Sequence, residues 1–210
     1  MSELPLGMQM PEMKPRVTRP SATLTISRDG PNGIEILLGH RAETMPAFPG
    51  YWAFPGGGLS RVDKQALEQL DNFGGDSDDG DDAARLAILR EMVEELGYDW
   101  DGHKLSRVDD ETRSTVVEDK VNWLPAVEAG AIAASPENLQ VISRRTTPPF
   151  GQMLFENTFL HLHAGAYDEI PEADLEPQTE FHEAWWARHV KLLKHGKHIA
   201  SRLHLLLFHC

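Results

Sequence analysis

Residues 82–96 read DAARLAILREMVEEL and are followed by Gly97. Helix formers fill the stretch, an aspartate opens it and a glycine closes it, so the pattern predicts a helix over 82–96 with Asp82 at its start. At 100° per residue, Leu86, Leu89, Met92, Val93 and Leu96 fall on one broad face, with Glu91, Glu94 and Glu95 clustered opposite. Carboxylates three and four residues apart repel by about 0.2–0.5 kcal/mol per pair, so helix stability alone does not select this patch. A divalent cation reverses the sign, since hard ions such as Mg²⁺ take oxygen ligands. The competing reading is a solvated acidic face. Ala84 and Ala87 lie along the glutamate side and leave room for a second backbone segment.

The natural candidate for that segment is upstream. Residues 50–58, GYWAFPGGG, bring a short apolar run to three consecutive glycines, where a ligand or another backbone can approach closely. Before it, 22–27 (ATLTIS) and 34–38 (IEILL) are strand-like runs separated by the turn chemistry of Asp29-Gly30-Pro31-Asn32-Gly33, predicting a hairpin. After the helix, 139–143, 153–163 (MLFENTFLHLH) and 181–187 (FHEAWWA) read as strands, and a basic run ending near Phe208 reads as helix. Intermixed strands and helices define an α/β protein.

The chain has 210 residues, enough for one domain with extensions. Lys plus Arg total 20 against 33 Asp plus Glu, a net charge of −13, and no basic block with interleaved aromatics is present, which disfavours a duplex nucleic acid as partner. Six of the aspartates lie in 71–82 (DNFGGDSDDGDD), which reads as a solvated segment. No apolar run reaches the ~20 residues of a membrane span. The start lacks a secretory pattern and the single cysteine, Cys210, fits a reducing compartment, so the expected location is the cytoplasm. The first twenty residues, with Pro5, Pro11, Pro15 and Pro20, read as an extension.

Residues 90–98, REMVEELGY, carry every fixed position in the second half of the Nudix box, G-x5-E-x7-R-E-U-x-E-E-x-G-U, where U is aliphatic or aromatic. With Phe54-Pro55-Gly56-Gly57 upstream, the chain resembles the Nudix hydrolases over roughly 21–195. The resemblance implies an α/β/α sandwich with a mixed β-sheet, a Nudix domain over 21–210 and an extension over 1–20. It implies an Mg²⁺- or Mn²⁺-dependent hydrolase that cleaves the diphosphate linkage of a nucleoside diphosphate derivative by water attack on phosphorus. Carried onto matching positions, Glu91, Glu94 and Glu95 become metal ligands, together with the backbone carbonyl of Gly57, and Arg90 orients the glutamates. Arg41, Phe54, Gly56, Gly57 and Arg144 become substrate-binding residues, with Arg145 a further cation. Glu180 is the late-loop acid expected as metal ligand or general base, with Glu176 and Glu183 behind it. The partner is then a small nucleotide diphosphate, neither membrane nor duplex; a homodimer is compatible with the sequence.

Two departures stand out. Counting eight residues back from Arg90 gives Asp82 where the box has Glu, which suggests a helix cap and supporting acid rather than a metal ligand. Taking Gly58 as the box glycine leaves 23 residues before Asp82 instead of five, an insertion over 59–81. Such an insertion, GYWAFPGG at 50–57, RRTTPPFGQMLFENTFLHL at 144–162 and the partial LL-x-x-R element at 37–41 resemble a coenzyme A diphosphatase-like branch; ADP-ribose and dinucleotides are the other substrate types. The alternative function is a non-catalytic Nudix-like nucleotide sensor, although such modules typically lose box glutamates. His161 with His163 and His195 with His198 share faces, but no Cys or acid completes a four-ligand zinc set with them. Trp185 and Trp186 read as packing residues before base-stacking ones.

Overall fold

The computed structural model describes residues 17–45, 49–70, 81–147, 154–173 and 180–188. The first strands are β1 (Arg19–Gly30) and β2 (Gly33–Arg41), so β1 starts inside the segment read as an extension. They form the predicted hairpin but stay paired only from Ser27–Ile36 to Gly30–Gly33, with Gly33 at φ +113 closing the turn. Beyond that they separate, and the returning chain fills the gap. β3 (Trp52–Ala53) bonds to β2 at Gly39 and His40, while β4 (Gly56–Gly58) bonds to β1 from Ser21 to Thr23. Of these glycines, Gly57 occupies a place in the sheet where a side chain would collide with Glu91 of the helix above.

Two helices follow, α1 (Arg61–Gln69) and α2 (Asp82–Glu91). α2 continues into a π turn over Met92–Leu96 and stops at Gly97, whose φ of 68 is the left-handed geometry of a helix end. The predicted helix therefore spans the expected residues, with its last turn widened. A small hairpin, β5 (Tyr98–Trp100) with β6 (Leu105–Arg107), leads to α3 (Asp110–Glu118), a short 3₁₀ turn and α4 (Trp123–Glu128). These sequence reasoning left without structure. Then come β7 (Gln140–Thr146), β8 (Phe155–Ala166) and β9 (Phe181–Arg188).

β8 runs parallel to β1, from Arg19–Phe155 onward, and the other ladders are antiparallel, giving a mixed seven-stranded sheet. β9 lies on the edge of β2 away from β1, since Glu35 pairs with both Arg28 and Arg188. The central pair is apolar where it is buried: Leu24 and Ile26 on β1, Leu160 and Leu162 on β8. Against that sheet α2 buries Leu86, Leu89, Met92, Val93 and Leu96, the predicted apolar face. Among the described residues no helix is long and apolar enough to cross a membrane. The helix-like run ending near Phe208 and most of the predicted extension lie outside the described residues.

The end of α2 is held from outside the helix. Arg113 on α3 is fully buried and donates from Nε to the Val93 carbonyl and from Nη2 to the Glu94 carbonyl, both at 3.0 Å. A buried cation there satisfies carbonyls at the negative end of the helix dipole. Arg113→Met should lower stability by about 2–4 kcal/mol, because it leaves buried acceptors without donors. Urea denaturation measures this, and a cost under about 0.5 kcal/mol would show that the arginine is not holding the turn.

Candidate active site

Four acids and one guanidinium form the centre. Arg90 is 1% exposed. Its Nε donates to Asp63 Oδ1 at 2.7 Å and its Nη2 to Asp63 Oδ2 at 3.2 Å. Nη1 donates to Glu94 Oε1 at 2.9 Å, and Nη2 lies 3.0 Å from Glu91 Oε1. Burial opposes the charge on Arg90, but Asp63, Glu91 and Glu94 outweigh it and hold the group well above the usual arginine range. Arg90 thus fixes Glu91 and Glu94 on one side while being fixed by Asp63 on the other.

Glu95 takes a different partner. It accepts from the Gly56 backbone N–H at 3.0 Å, which ties the π turn to β4. A π turn packs more residues into each turn, so the consecutive Glu94 and Glu95 diverge less in direction than they would in an α-helix. Gly57 lies under Glu91: a Cβ there would sit 2.3 Å from Glu91 Oε1. At Gly56, with φ +146, a Cβ would sit 2.3 Å from the Ala22 carbonyl oxygen, while at Gly58 it would meet nothing within 4 Å. The first two glycines are required by contact, and the third is not.

The crowding of acids shows in their protonation. Burial, opposed by Arg90 but joined by the charges of Glu94 and Asp63, pushes the Glu91 carboxyl up to about 7. Burial and the neighbouring Glu91 hold Glu95 well above the usual carboxylate range, although the Gly56 N–H and the Arg41 charge pull it down. Arg41, at the end of β2, therefore stands near Glu95, and it is ion-paired with Glu180. The Glu180 carbonyl also accepts from the Ala42 N–H at 3.0 Å. Phe54 is half-buried between β3 and β4, on the segment that delivers the glycines.

Other candidates stand apart from this centre. Arg144 is ion-paired with Asp81 at the start of α2, some thirteen residues before Glu94, or roughly 20 Å along a helix axis at 1.5 Å per residue. His161 Nε2 and His163 Nδ1 both contact Ser27 Oγ, at 2.8 and 3.0 Å, across the β1–β8 pair. Trp186 lies under the Arg28 guanidinium at 4.1 Å and Trp185 meets Trp52 edge-on. Glu183 is on β9 facing His40. Glu176, His195 and His198 lie outside the described residues.

The acid that pairs with the box arginine is Asp63, not Asp82. Asp82 is one residue inside α2, bonded to Arg85 Nη1 at 3.0 Å, and the cap position belongs to Asp81. Asp63 is fully buried and also accepts from the Ser60 N–H at 2.6 Å and the Ser60 hydroxyl at 2.9 Å. Five residues separate Gly57 from Asp63, so Gly57 is the box glycine and the spacing before the acid is the ordinary one. The insertion lies later: 26 residues stand between Asp63 and Arg90 where the box has seven. Counting back from Arg90 to Asp82 presumed one unbroken helix, whereas the segment expected as insertion over 59–81 includes the helix α1 that carries Asp63. The capping pair Ser60 and Asp63, S-x-x-D, was the available signal for α1. For Arg113 the sequence offered none.

A seven-stranded mixed sheet covered by a helix that ends in a guanidinium-braced glutamate cluster defines an α/β protein with a buried acidic centre. No protein-family model matches the chain, and no curated protein matches it in sequence. Among solved structures, a Nudix hydrolase from Alicyclobacillus acidocaldarius is 27% identical, with a TM-score of 0.72 over 87% of this chain and 84% of that one. The Nudix domain of Shewanella oneidensis NrtR, solved with ADP ribose, is 11% identical at a TM-score of 0.48, covering 85% of this chain and 78% of that one. A C. elegans Ap4A hydrolase is 16% identical at 0.45, covering 90% of each chain. The chain thus shares the fold of the Alicyclobacillus Nudix hydrolase and resembles its family, which supports an enzyme acting on phosphoric anhydride bonds.

Two outcomes test this geometry. Asp63→Asn should cost about 3–5 kcal/mol in urea denaturation, the scale for breaking a buried ion pair, whereas Asp82→Asn should cost about 1 kcal/mol. Equal costs would return the pairing role to Asp82. Gly57→Ala should depress both melting temperature and activity, because its methyl group falls on the Glu91 carboxylate, and Gly58→Ala should leave both close to the parent. A silent Gly57→Ala would show that Glu91 can move aside freely.

Proposed function

We propose that the chain hydrolyses the diphosphate linkage of a nucleoside diphosphate derivative, by water attack on phosphorus, with Mg²⁺ or Mn²⁺ held on the α2 glutamates. The observation that carries this reading is the convergence of Glu91, Glu94 and Glu95 beside the glycine strand, with two of the three carboxyls pushed up. Such a set is poorly compensated by Arg90 and fits a hard divalent cation, whose oxygen-ligand preference it meets. Glu91, Glu94 and Glu95, together with the Gly57 carbonyl, are the proposed ligands.

A bound divalent cation supplies charge neutralisation for the diphosphate and lowers the pKa of water. The rest falls to the chain's own groups. Arg90 orients Glu94 through Nη1 and Glu91 through Nη2, while Nε and Nη2 anchor it on Asp63. Arg41 offers a guanidinium to a phosphate oxygen, and Phe54 an apolar surface beside the glycines. Glu180 is the proposed base: a phosphate that engages Arg41 competes with the Glu180 carboxylate, freeing it to take a proton from water. Coenzyme A, ADP-ribose and dinucleotides remain the proposed substrate types. Arg41, which closes the LL-x-x-R element, sits near the site, whereas Arg144 sits at the other end of α2.

The test is metal-dependent phosphate release, coupled to a phosphatase, across those three substrate types. Glu95→Gln should fold at least as stably as the parent in chelator, whereas Glu94→Gln should lose some stability with its ion pair to the buried Arg90. Both should lose on the order of 10²-fold or more in turnover, the scale for removing one charge-stabilising group. Near-parental turnover by either variant at saturating Mg²⁺ would overturn the proposed site.

A further inference from the structure

A second cluster of donors lies where β9 meets β2. His40 pairs with Glu183, but the next partners are Arg41 and Phe181, so His182 is an extra residue in a bulge. The bulge brings the His182 ring beside that of His40, with centroids 4.4 Å apart. One ligand atom from each of His40, His182 and Glu183 lies within 4.8 Å of the other two.

His40 is prepared for a specific role. Its ring stacks on Trp52 at 4.7 Å and 14°, and its Nε2 lies 3.1 Å from the Gly50 carbonyl oxygen. A carbonyl only accepts, so in the neutral ring Nε2 carries the hydrogen and Nδ1 is left with a lone pair. That Nδ1 is buried without a hydrogen-bond partner, 3.6 Å from Glu183 Oε2. A lone pair and a carboxylate facing each other call for a positive centre between them. The Nε2–H bond to a backbone carbonyl is also the outer contact that metal-bound histidines usually make.

We propose that His40 Nδ1, a ring nitrogen of His182 and the Glu183 carboxylate form a binding site for a transition-metal ion of the Zn²⁺ or Co²⁺ type, separate from the glutamate patch of α2. Two imidazoles with one carboxylate favour such ions over Mg²⁺, and three protein ligands leave a position for water. Tetrahedral zinc places ligand atoms roughly 3.4 Å apart, so the cluster must contract by up to about 1.4 Å. His182 and Glu183 are exposed and can rotate inward, while Trp52 and Gly50 hold His40. The ion would fasten β9 to β2 between Glu180 and Arg41, tightening the segment that carries their ion pair.

The test is Co²⁺ titration of the untagged, chelator-treated full chain in excess Mg²⁺, followed by visible absorption. One equivalent should bind with the spectrum of a low-coordinate mixed nitrogen and oxygen site, and Zn²⁺ should displace it. His182→Ala and Glu183→Gln, both at exposed positions, should each weaken uptake by at least about tenfold. The Glu94→Gln, Glu95→Gln double variant should bind Co²⁺ as the parent does. Uptake indifferent to His182→Ala and Glu183→Gln, uptake lost with the α2 glutamates, or no uptake at all would each overturn the proposal.

Discussion

Everything at the centre of this protein depends on where one buried guanidinium finds its balance. Arg90 sits on a helix that is buried on most sides, so its charge has to be met by carboxylates in fixed positions rather than by water. Asp63 meets it with two oxygens, Glu94 with one and Glu91 with another. The demand runs both ways. A carboxylate as buried as Asp63 needs donors on both oxygens, and Arg90 with Ser60 supplies four. This closed arrangement fixes α1 against α2, and through α2 it fixes the glutamates over the glycines.

The helix and its glutamates were legible because periodicity reports burial, and the apolar face it indicated is buried. That the opposite face is largely covered too, with Ala87, Arg90 and Glu95 buried, periodicity did not show. The hairpin and the late strands were legible for similar reasons. The partner of Arg90 was not, since Asp63 and Arg90 meet only after the chain has left α1 and come back. Sequence spacing measures distance along the chain, and the acid that mattered was close in space instead. Arg113 was hidden for a related cause: a buried arginine on a short, mostly polar helix looks like a surface charge until the carbonyls it serves are seen. The π turn was equally silent, because nothing in MVEEL distinguishes a widened turn from an ordinary one.

The same crowding that fixes the glutamates links them to protons. Glu91 titrates near 7 in the folded chain and at about 4.5 when freely solvated. The folded state therefore binds more protons than the unfolded state between those values. Its contribution to stability is complete below about 4.5 and disappears as pH rises through about 7. Without a cation this corner of the fold is held more firmly in mild acid than at neutrality. A divalent cation bound as proposed would take the place of those protons and reverse the trend.

Because an ion pair rather than chain continuity sets the register of α1 against α2, the two halves of the site are separable parts. The segment up to Leu70 carries the glycine strand and Asp63; the segment from Asp81 carries Arg90 and the glutamates. Each half alone holds a charge it cannot bury, Asp63 in the first and Arg90 in the second, and these two neutralise each other. The stretch between them is thus a natural place to divide the polypeptide into complementary fragments whose reunion is reported by the return of activity.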